Sequence, residues 1–365
     1  MILALGAALP FRIRYRRQPT LEVIAGAIIF VAALAITTII ITTRDHSGVN
    51  APGDAPGVWS AQNSGTTQTL LDVAFVDTKN GWAVGSNGTV LHTSDGGLAW
   101  EAQDSGTRLK LNSVTFASAT QGWAVGELGF IIHTSDGGRS WAVQGDDVAL
   151  QRNLVGVAFV DDRNGWAFTE RGSTILSTRD GGQNWSRDFL SNTTVRRAGS
   201  FLDGQRGWIA FSTGGVFRTV DGGETWELGP GANGVSVGQA SIYFVDENNG
   251  WIAGWRGRKS GLGSGLQFSR FMSDGMVART TDGGLSWTRH DARTGRFLWD
   301  VTFLNELQGW AVGSFGSVLY SDDSGVTWEP QASGTKEILR KVVFPDPQNG
   351  WAVGDNGTIL NFTGG

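Results

Sequence analysis

The sequence predicts an all-β chain, a ring of seven four-stranded antiparallel blades, and three observations carry that prediction. A Gly-Trp pair returns at Trp82, Trp123, Trp166, Trp208, Trp251, Trp310 and Trp351, at spacings of 41, 43, 42, 43, 59 and 41 residues. A box of the form Ser/Thr-x-Asp-x-Gly-x-x-Trp ends at Trp100, Trp141, Trp185, Trp226, Trp287 and Trp328. Between these marks lie short runs rich in β-branched and aromatic residues, broken by clusters of Gly, Asn and Asp. A period near 40 residues with four such runs is the signature of a β-propeller blade.

The first repeat justifies its elements one by one. Leu70–Asp77, Gly81–Gly85, Thr89–Thr93 and Trp100–Gln103 read as its four strands. Asp95 is placed to accept backbone N–H bonds in the turn joining strands three and four. Gly96 and Gly97 permit positive φ there. Trp100 brings a large apolar face for packing. Because the box recurs six times, it reads as a fold element rather than as chemistry.

The ends of the chain fix the blade count. Seven Gly-Trp pairs stand against six complete boxes, and the last repeat stops at Asn361-Phe-Thr-Gly-Gly365 without a fourth strand. Before the first pair stands Val58-Trp-Ser-Ala-Gln-Asn-Ser-Gly-Thr66, which matches Trp100-Glu-Ala-Gln-Asp-Ser-Gly-Thr107. Val58–Gln62 is therefore expected to complete the last blade and close the ring, leaving only short edges.

Ahead of the ring the sequence predicts a basic cytoplasmic segment at 1–20, a transmembrane helix at 21–43 and a linker at 44–57, with the propeller at 58–365. Val23–Ile41 is 19 residues without a charge, long enough to cross the hydrocarbon core. Arg12, Arg14, Arg16 and Arg17 precede it, so the N-terminus is expected in the cytoplasm and the propeller outside it, in the periplasm. The alternative is a cleaved signal peptide with Ala33-Leu-Ala35 as the cleavage site; the apolar run that continues through Ile36–Ile41 favours an uncleaved anchor.

The composition narrows function. With 40% hydrophobic residues in 365 there is ample material for a core, and a net charge of −5 gives no general attraction to nucleic acid. Cysteine is absent, which excludes disulfides, thiolate metal sites and thiol catalysis. His92 and His133 share one repeat position, and no His/Asp/Glu cluster has metal-ligand spacing. A sialidase-like glycosidase would need a tyrosine nucleophile with an acid partner and an arginine cluster. Only Tyr243 and Tyr320 lie in the ring, and no other hallmark accompanies them. The reading is a protein that is not an enzyme, with no cofactor, no metal and no small-molecule substrate.

The fifth repeat departs from the others. Gly254 and Gly275 match Gly85 and Gly88, but twenty residues separate them instead of two. The loop Trp255–Asp274 carries Arg256, Arg258, Lys259 and Arg270 beside Trp255, Phe268 and Phe271. Arginine and aromatic residues are enriched in interfaces, so this loop reads as a contact surface.

The motif Phe-x-Asp-x-x-x-Gly-Trp-x-Val-Gly-x-x-Gly-x-Ile/Val, followed by Thr-x-Asp-Gly-Gly-x-x-Trp, resembles the repeat of the photosystem II stability and assembly factor family over about residues 58–365. The resemblance implies a non-enzymatic, extracytoplasmic seven-bladed propeller that binds reaction-centre polypeptides through an arginine patch. This chain departs in carrying a membrane helix where the family has a cleaved or lipidated N-terminus, and in its fifth-blade insertion. A general envelope scaffold is the other reading of the same repeats.

Strand direction sorts the loops onto two faces. Loops four-to-one and two-to-three share one face; loops one-to-two and three-to-four share the other. Asp77, Asp161, Asp246, Asp346 and the box aspartates fall on the second. The first collects Arg196, Arg197, Arg340 and Lys341, with Trp299 and the inserted Arg256, Arg258, Lys259 and Arg270. Arg197, Trp299 and Arg340 count to equivalent positions near the starts of innermost strands, at the channel mouth. These residues are the expected binding surface for an acidic extramembrane segment of an integral membrane partner. The tether, entering at a fourth strand, is expected to leave from the acidic face.

Overall fold

In the computed structural model the described residues are 57–145, 152–170, 174–190, 197–211, 215–229, 241–257 and 273–364. Residues 1–56, where the basic segment, the membrane helix at 21–43 and the linker were expected, lie outside them. Among the described residues no helix is long and apolar enough to cross a membrane. The chain forms seven four-stranded antiparallel sheets, six of them built from consecutive strands. The seventh takes its outer strand, Gly57–Gln62, from the other end of the ring, where it pairs antiparallel with Ile359–Gly364. The closure read from the Val58–Thr66 match is thus the observed one.

The structure supplies the reason for the Gly-Trp pair. The ring of Phe75, from the first strand, lies over Gly81 so closely that a Cβ there would fall 2.3 Å from it. Phe116 covers Gly122 in the same way, and Phe159 covers Gly165. Only glycine allows this approach. The Trp that follows reaches into the next blade: Trp82 stacks on Phe116 at 3.6 Å between centroids and 12° between planes. Its Nε1 donates to the carbonyl of Gly137 at 3.1 Å. Trp141 meets Phe116 edge-on at 6.0 Å. Each Phe is therefore held between two tryptophans, one from its own blade and one from the preceding blade. Trp351 completes the circuit by stacking on Phe75 at 3.7 Å. The seven tryptophans of the pair are almost wholly buried, and aromatic pairs of this kind contribute about 0.5–1.5 kcal/mol each beyond area burial.

The box works as read, with the Ser/Thr sharing the load. Asp95 accepts from the Ala99 N–H at 3.0 Å, while Thr93 Oγ1 accepts from the Gly97 N–H at 2.7 Å. The strand limits differ from the sequence reading by a residue or two. The first strand ends at Phe75, because Asp77 caps the following turn by accepting from the Lys79 and Asn80 N–H groups at 2.7 Å. The third starts at Val90, because Ser86–Gly88 forms a 3-10 turn.

The fifth-blade insertion begins and ends as strand rather than loop. Strand Gly250–Gly257 pairs with Ser273–Thr280, and Trp255, Arg256 and Gly257 oppose Gly275, Asp274 and Ser273. Gly275 thus sits inside a lengthened hairpin instead of closing a turn as Gly88 does.

Candidate functional site

Hydrogen bonds across the loops fix the two faces. The Ser86 N–H donates to Thr69 O at 2.9 Å, joining loop two-to-three to loop four-to-one. The Gly96 N–H donates to Lys79 O at 3.0 Å, joining the other two loops on the opposite face. On that opposite face the turn and box aspartates are already occupied. Asp161 and Asp246 cap their turns as Asp77 does. Asp136 is held at a pKa of about 2, chiefly by the Ser140 hydroxyl and N–H.

On the first face, the starts of five innermost strands carry an irregularity. The pairing register shifts between Leu70 and Asp72, Leu111 and Ser113, Leu154 and Gly156, Leu298 and Asp300, and Leu339 and Lys341. A bulge re-aims the extra residue, and at two of these positions that residue is Trp299 or Arg340. The Arg340 guanidinium lies 4.7 Å from the Trp299 ring centroid. It also holds Asp355 in a two-pronged contact, Nε to Oδ1 at 2.9 Å and the second nitrogen to Oδ2 at 3.1 Å. Trp299 Nε1 donates to Ser314 Oγ at 3.2 Å. Trp255, at the base of the insertion, meets Phe297 edge-on at 4.9 Å and Trp299 at 6.0 Å. Trp255, Phe297, Trp299 and Arg340 thus form one aromatic–arginine cluster on blades five to seven.

Lys341 joins a different group. Its ammonium sits 3.5 Å from Asp300, at the ring position where the first blade has Asp72. Asp72 in turn accepts from Ser113 Oγ at 2.6 Å and the Val114 N–H at 3.0 Å, tying blade one to blade two. Asp300 accepts from Ser241 Oγ and from the Val342 N–H at 3.0 Å, tying blades five, six and seven. Burial pushes the Asp72 carboxyl above the usual range, with Lys341 pulling the other way. Burial alone would lower the Lys341 pKa; Asp300 and Asp72 outweigh it and raise it. The Lys341 side chain is 37% exposed although its ammonium is enclosed by carboxylates. Its side chain is partly open to solvent while its charge is spent on the carboxylates of the ring.

Arg197 opens its strand in regular register opposite Phe211, so equal counting along the sequence does not make it a structural twin of the bulged Arg340. Arg256 is placed by its pairing with Asp274. Arg196, Arg258, Lys259 and Arg270 lie outside the described residues. Sequence reasoning missed Phe297, Phe315 and Asp355; a sequence signal for Asp355 was its place two residues before Gly357 in the turn that faces Arg340. Tyr243 is packed against the ring cluster, and its phenol is pushed up by burial despite a hydrogen bond with Thr302. That opposes a nucleophilic phenolate. Among the described residues no group of three or more His, Cys, Asp or Glu is arranged to hold a metal ion.

Comparison with known proteins agrees with the repeat reading. The family model described as photosynthesis system II assembly factor YCF48 matches residues 52–144 and 276–363. The photosystem II assembly lipoprotein Ycf48 of Synechococcus sp. (strain CC9902) is 26% identical over 189 residues, 51% of this chain and 43% of that protein. A solved structure of YCF48 bound to a D1 peptide is 24% identical with a TM-score of 0.69, covering 86% of this chain and 99% of that one. YCF48 from Cyanidioschyzon merolae gives 23% and 0.68, covering 84% and 99%. At these identities the two structures establish the shared fold, which a virginiamycin B lyase from Staphylococcus aureus also has at 13% identity and a TM-score of 0.64. The matched segment thus spans under half the length of the Synechococcus relative.

Proposed function

Because the chain belongs to the photosystem II assembly factor family, whose repeats it carries, we propose that it is a membrane-anchored, extracytoplasmic propeller that binds and stabilises a photosynthetic reaction-centre complex. The observation that carries this reading is the cluster at the channel mouth. Arg340 is stacked on Trp299 and oriented by Asp355, so the guanidinium is held at fixed geometry beside an aromatic surface. Arginine and tryptophan at fixed geometry are the usual anchors of protein interfaces. The solved structure of YCF48 with a bound D1 peptide supports a polypeptide partner. The partner on this reading is an acidic extramembrane segment, met by Trp299 and Arg340, by Arg196 and Arg197 on the fourth blade, and by the inserted Arg256, Arg258, Lys259 and Arg270. Lys341 supports the mouth from within. The tether is the 21–43 helix with its N-terminus in the cytoplasm, and the protein acts by binding rather than by catalysis.

The test is affinity purification in mild detergent from source membranes. Trp299→Ala, Arg340→Glu and deletion of residues 256–273 should each reduce recovery of reaction-centre polypeptides and make the remainder more salt-sensitive. Unchanged recovery in all three, with loss on reversing charges at Asp77 and Asp161, would assign binding to the wrong face.

A further inference from the structure

Four of the two-to-three turns on the mouth face share one geometry, with the middle residue left-handed. In the first and last blades that residue is Asn87 at φ 57° or Asn356 at φ 53°, and asparagine tolerates this conformation. In the second and sixth blades it is Leu128 at φ 58° and Phe315 at φ 57°. Each of these bulky side chains is 63% exposed. The turn does not require them, since asparagine makes the same turn in two sibling blades. They combine a disfavoured backbone conformation with apolar surface left in water, and residues kept under such a double cost cluster at ligand contacts.

Their surroundings state what they face. The Arg296 guanidinium lies 5.6 Å from the Phe315 ring centroid and donates to the Phe315 carbonyl at 3.1 Å. Ser314, the preceding residue, takes the Trp299 indole N–H, so Phe315 continues the aromatic–arginine cluster. Leu128 follows Glu127, whose carboxylate holds Lys110 at 3.6 Å, with Arg108 exposed on the neighbouring loop. Blades two and six stand almost opposite each other across a ring of seven, with Arg340 of blade seven between them along the shorter arc. We infer that Leu128 and Phe315 are two apolar anchors for one extended acidic peptide segment lying across the channel mouth, each anchor taking an apolar side chain while the arginines take the carboxylates. A lipid surface fits less well. The two tips stand three blades apart around the ring rather than side by side, and the chain enters the ring at Gly57 on the opposite face.

The inference rests on the reading that this face binds an acidic partner, and the test separates the two. Fourteen-residue synthetic acidic peptides with leucine near both ends, near one end, or with serine at both places are titrated onto the full chain in mild detergent by fluorescence anisotropy. Leu128→Asn, Phe315→Asn and the double variant should melt no lower than the wild type, because asparagine suits the turn. The two-leucine peptide should bind the wild type about tenfold more tightly than the serine peptide, and the double variant should lose that preference. Arg340→Glu should weaken all the peptides. If the double variant keeps the preference while Arg340→Glu weakens binding, the anchors are refuted and the basic face stands. If Arg340→Glu also has no effect, both fall. If vesicles of phosphatidylglycerol and phosphatidylcholine recruit the wild type but not the double variant, and peptide preference is unchanged, the tips are lipid anchors and the inference is wrong.

Discussion

Replacing Lys341 with methionine removes one ammonium and leaves two carboxylates facing each other's blades across the closing seam of the ring. Asp300 is 4% exposed in its side chain and Asp72 is 8% exposed. Breaking a buried pair by deleting one partner costs about 3–5 kcal/mol. The Lys341 side chain keeps 37% exposure, so screening trims the expectation to about 2–4 kcal/mol. For a ring this large that is a fall in melting temperature of roughly 4–8 °C. The sign of the pH dependence is also set. Burial raises the Asp72 pKa above 3.8, so its ionisation opposes folding, and that penalty grows as pH rises from the unfolded value through the folded one. Lys341 has its pKa raised above 10.5, so its stabilisation is complete below that value and is lost as pH climbs through the folded pKa. The variant's deficit should therefore be largest near neutral pH and shrink in acid as Asp72, left without its counter-charge, protonates. Adding Asp300→Asn should recover part of it, since an amide oxygen still accepts from Val342. Guanidinium unfolding followed by tryptophan fluorescence at several pH values measures this. A deficit under 0.5 kcal/mol, or one that grows in acid, would refute the reasoning about the ring.

Gly122→Ala should destabilise by about 1–3 kcal/mol or more, because its Cβ would fall 2.3 Å from the Phe116 ring; calorimetry checks it, and a neutral result would remove the explanation of the Gly-Trp pair. Deleting residues 57–66 strips the outer strand from the last blade and should expose the edge of Ile359–Gly364; light scattering on warming should show aggregation, and an unchanged melting curve would contradict the closure. Asp136 has its pKa depressed to about 2, so its contribution is present above the unfolded pKa of 3.8 and lost as pH falls towards 2; Asp136→Asn should melt lower than the wild type at neutral pH and converge with it in acid. Protease added outside spheroplasts should digest the propeller and spare a reporter fused ahead of Met1, whereas protection of the propeller would reverse the proposed topology.

The blades, the closing strand and the division into two faces were legible because each is written as a period, a local match or a strand direction. What the period could not give was the cause of the Gly-Trp pair, since Phe75 and Gly81 meet only after the hairpin folds and Trp82 finds Phe116 only in the next blade. The proposed binding surface is written in composition and less so in arrangement. Arg340 and Lys341 are adjacent in sequence, yet the bulge sends one to Trp299 and Asp355 and the other to Asp300. Arg197 counts to the place of Arg340 but lacks the register shift that aims it. Phe315 carries no mark in the sequence, because its left-handed backbone and its exposure exist only in the folded turn. Long-range charge pairing and local register both depend on the closed ring, and neither leaves a periodic trace.

The central claim is that the mouth of the basic face, at blades five to seven, holds a reaction-centre polypeptide. The most direct measurement places a benzophenone photoprobe at the exposed position 315 on the mouth face in one sample and at the exposed position 98, in a three-to-four turn on the acidic face, in another. Each labelled full-length protein is mixed with mildly solubilised source membranes, irradiated, and the crosslinked partners are identified by mass spectrometry. The account predicts crosslinks from position 315 to an acidic extramembrane segment of a reaction-centre polypeptide and none to it from position 98; crosslinks to it from position 98 alone, or from neither, would contradict the account.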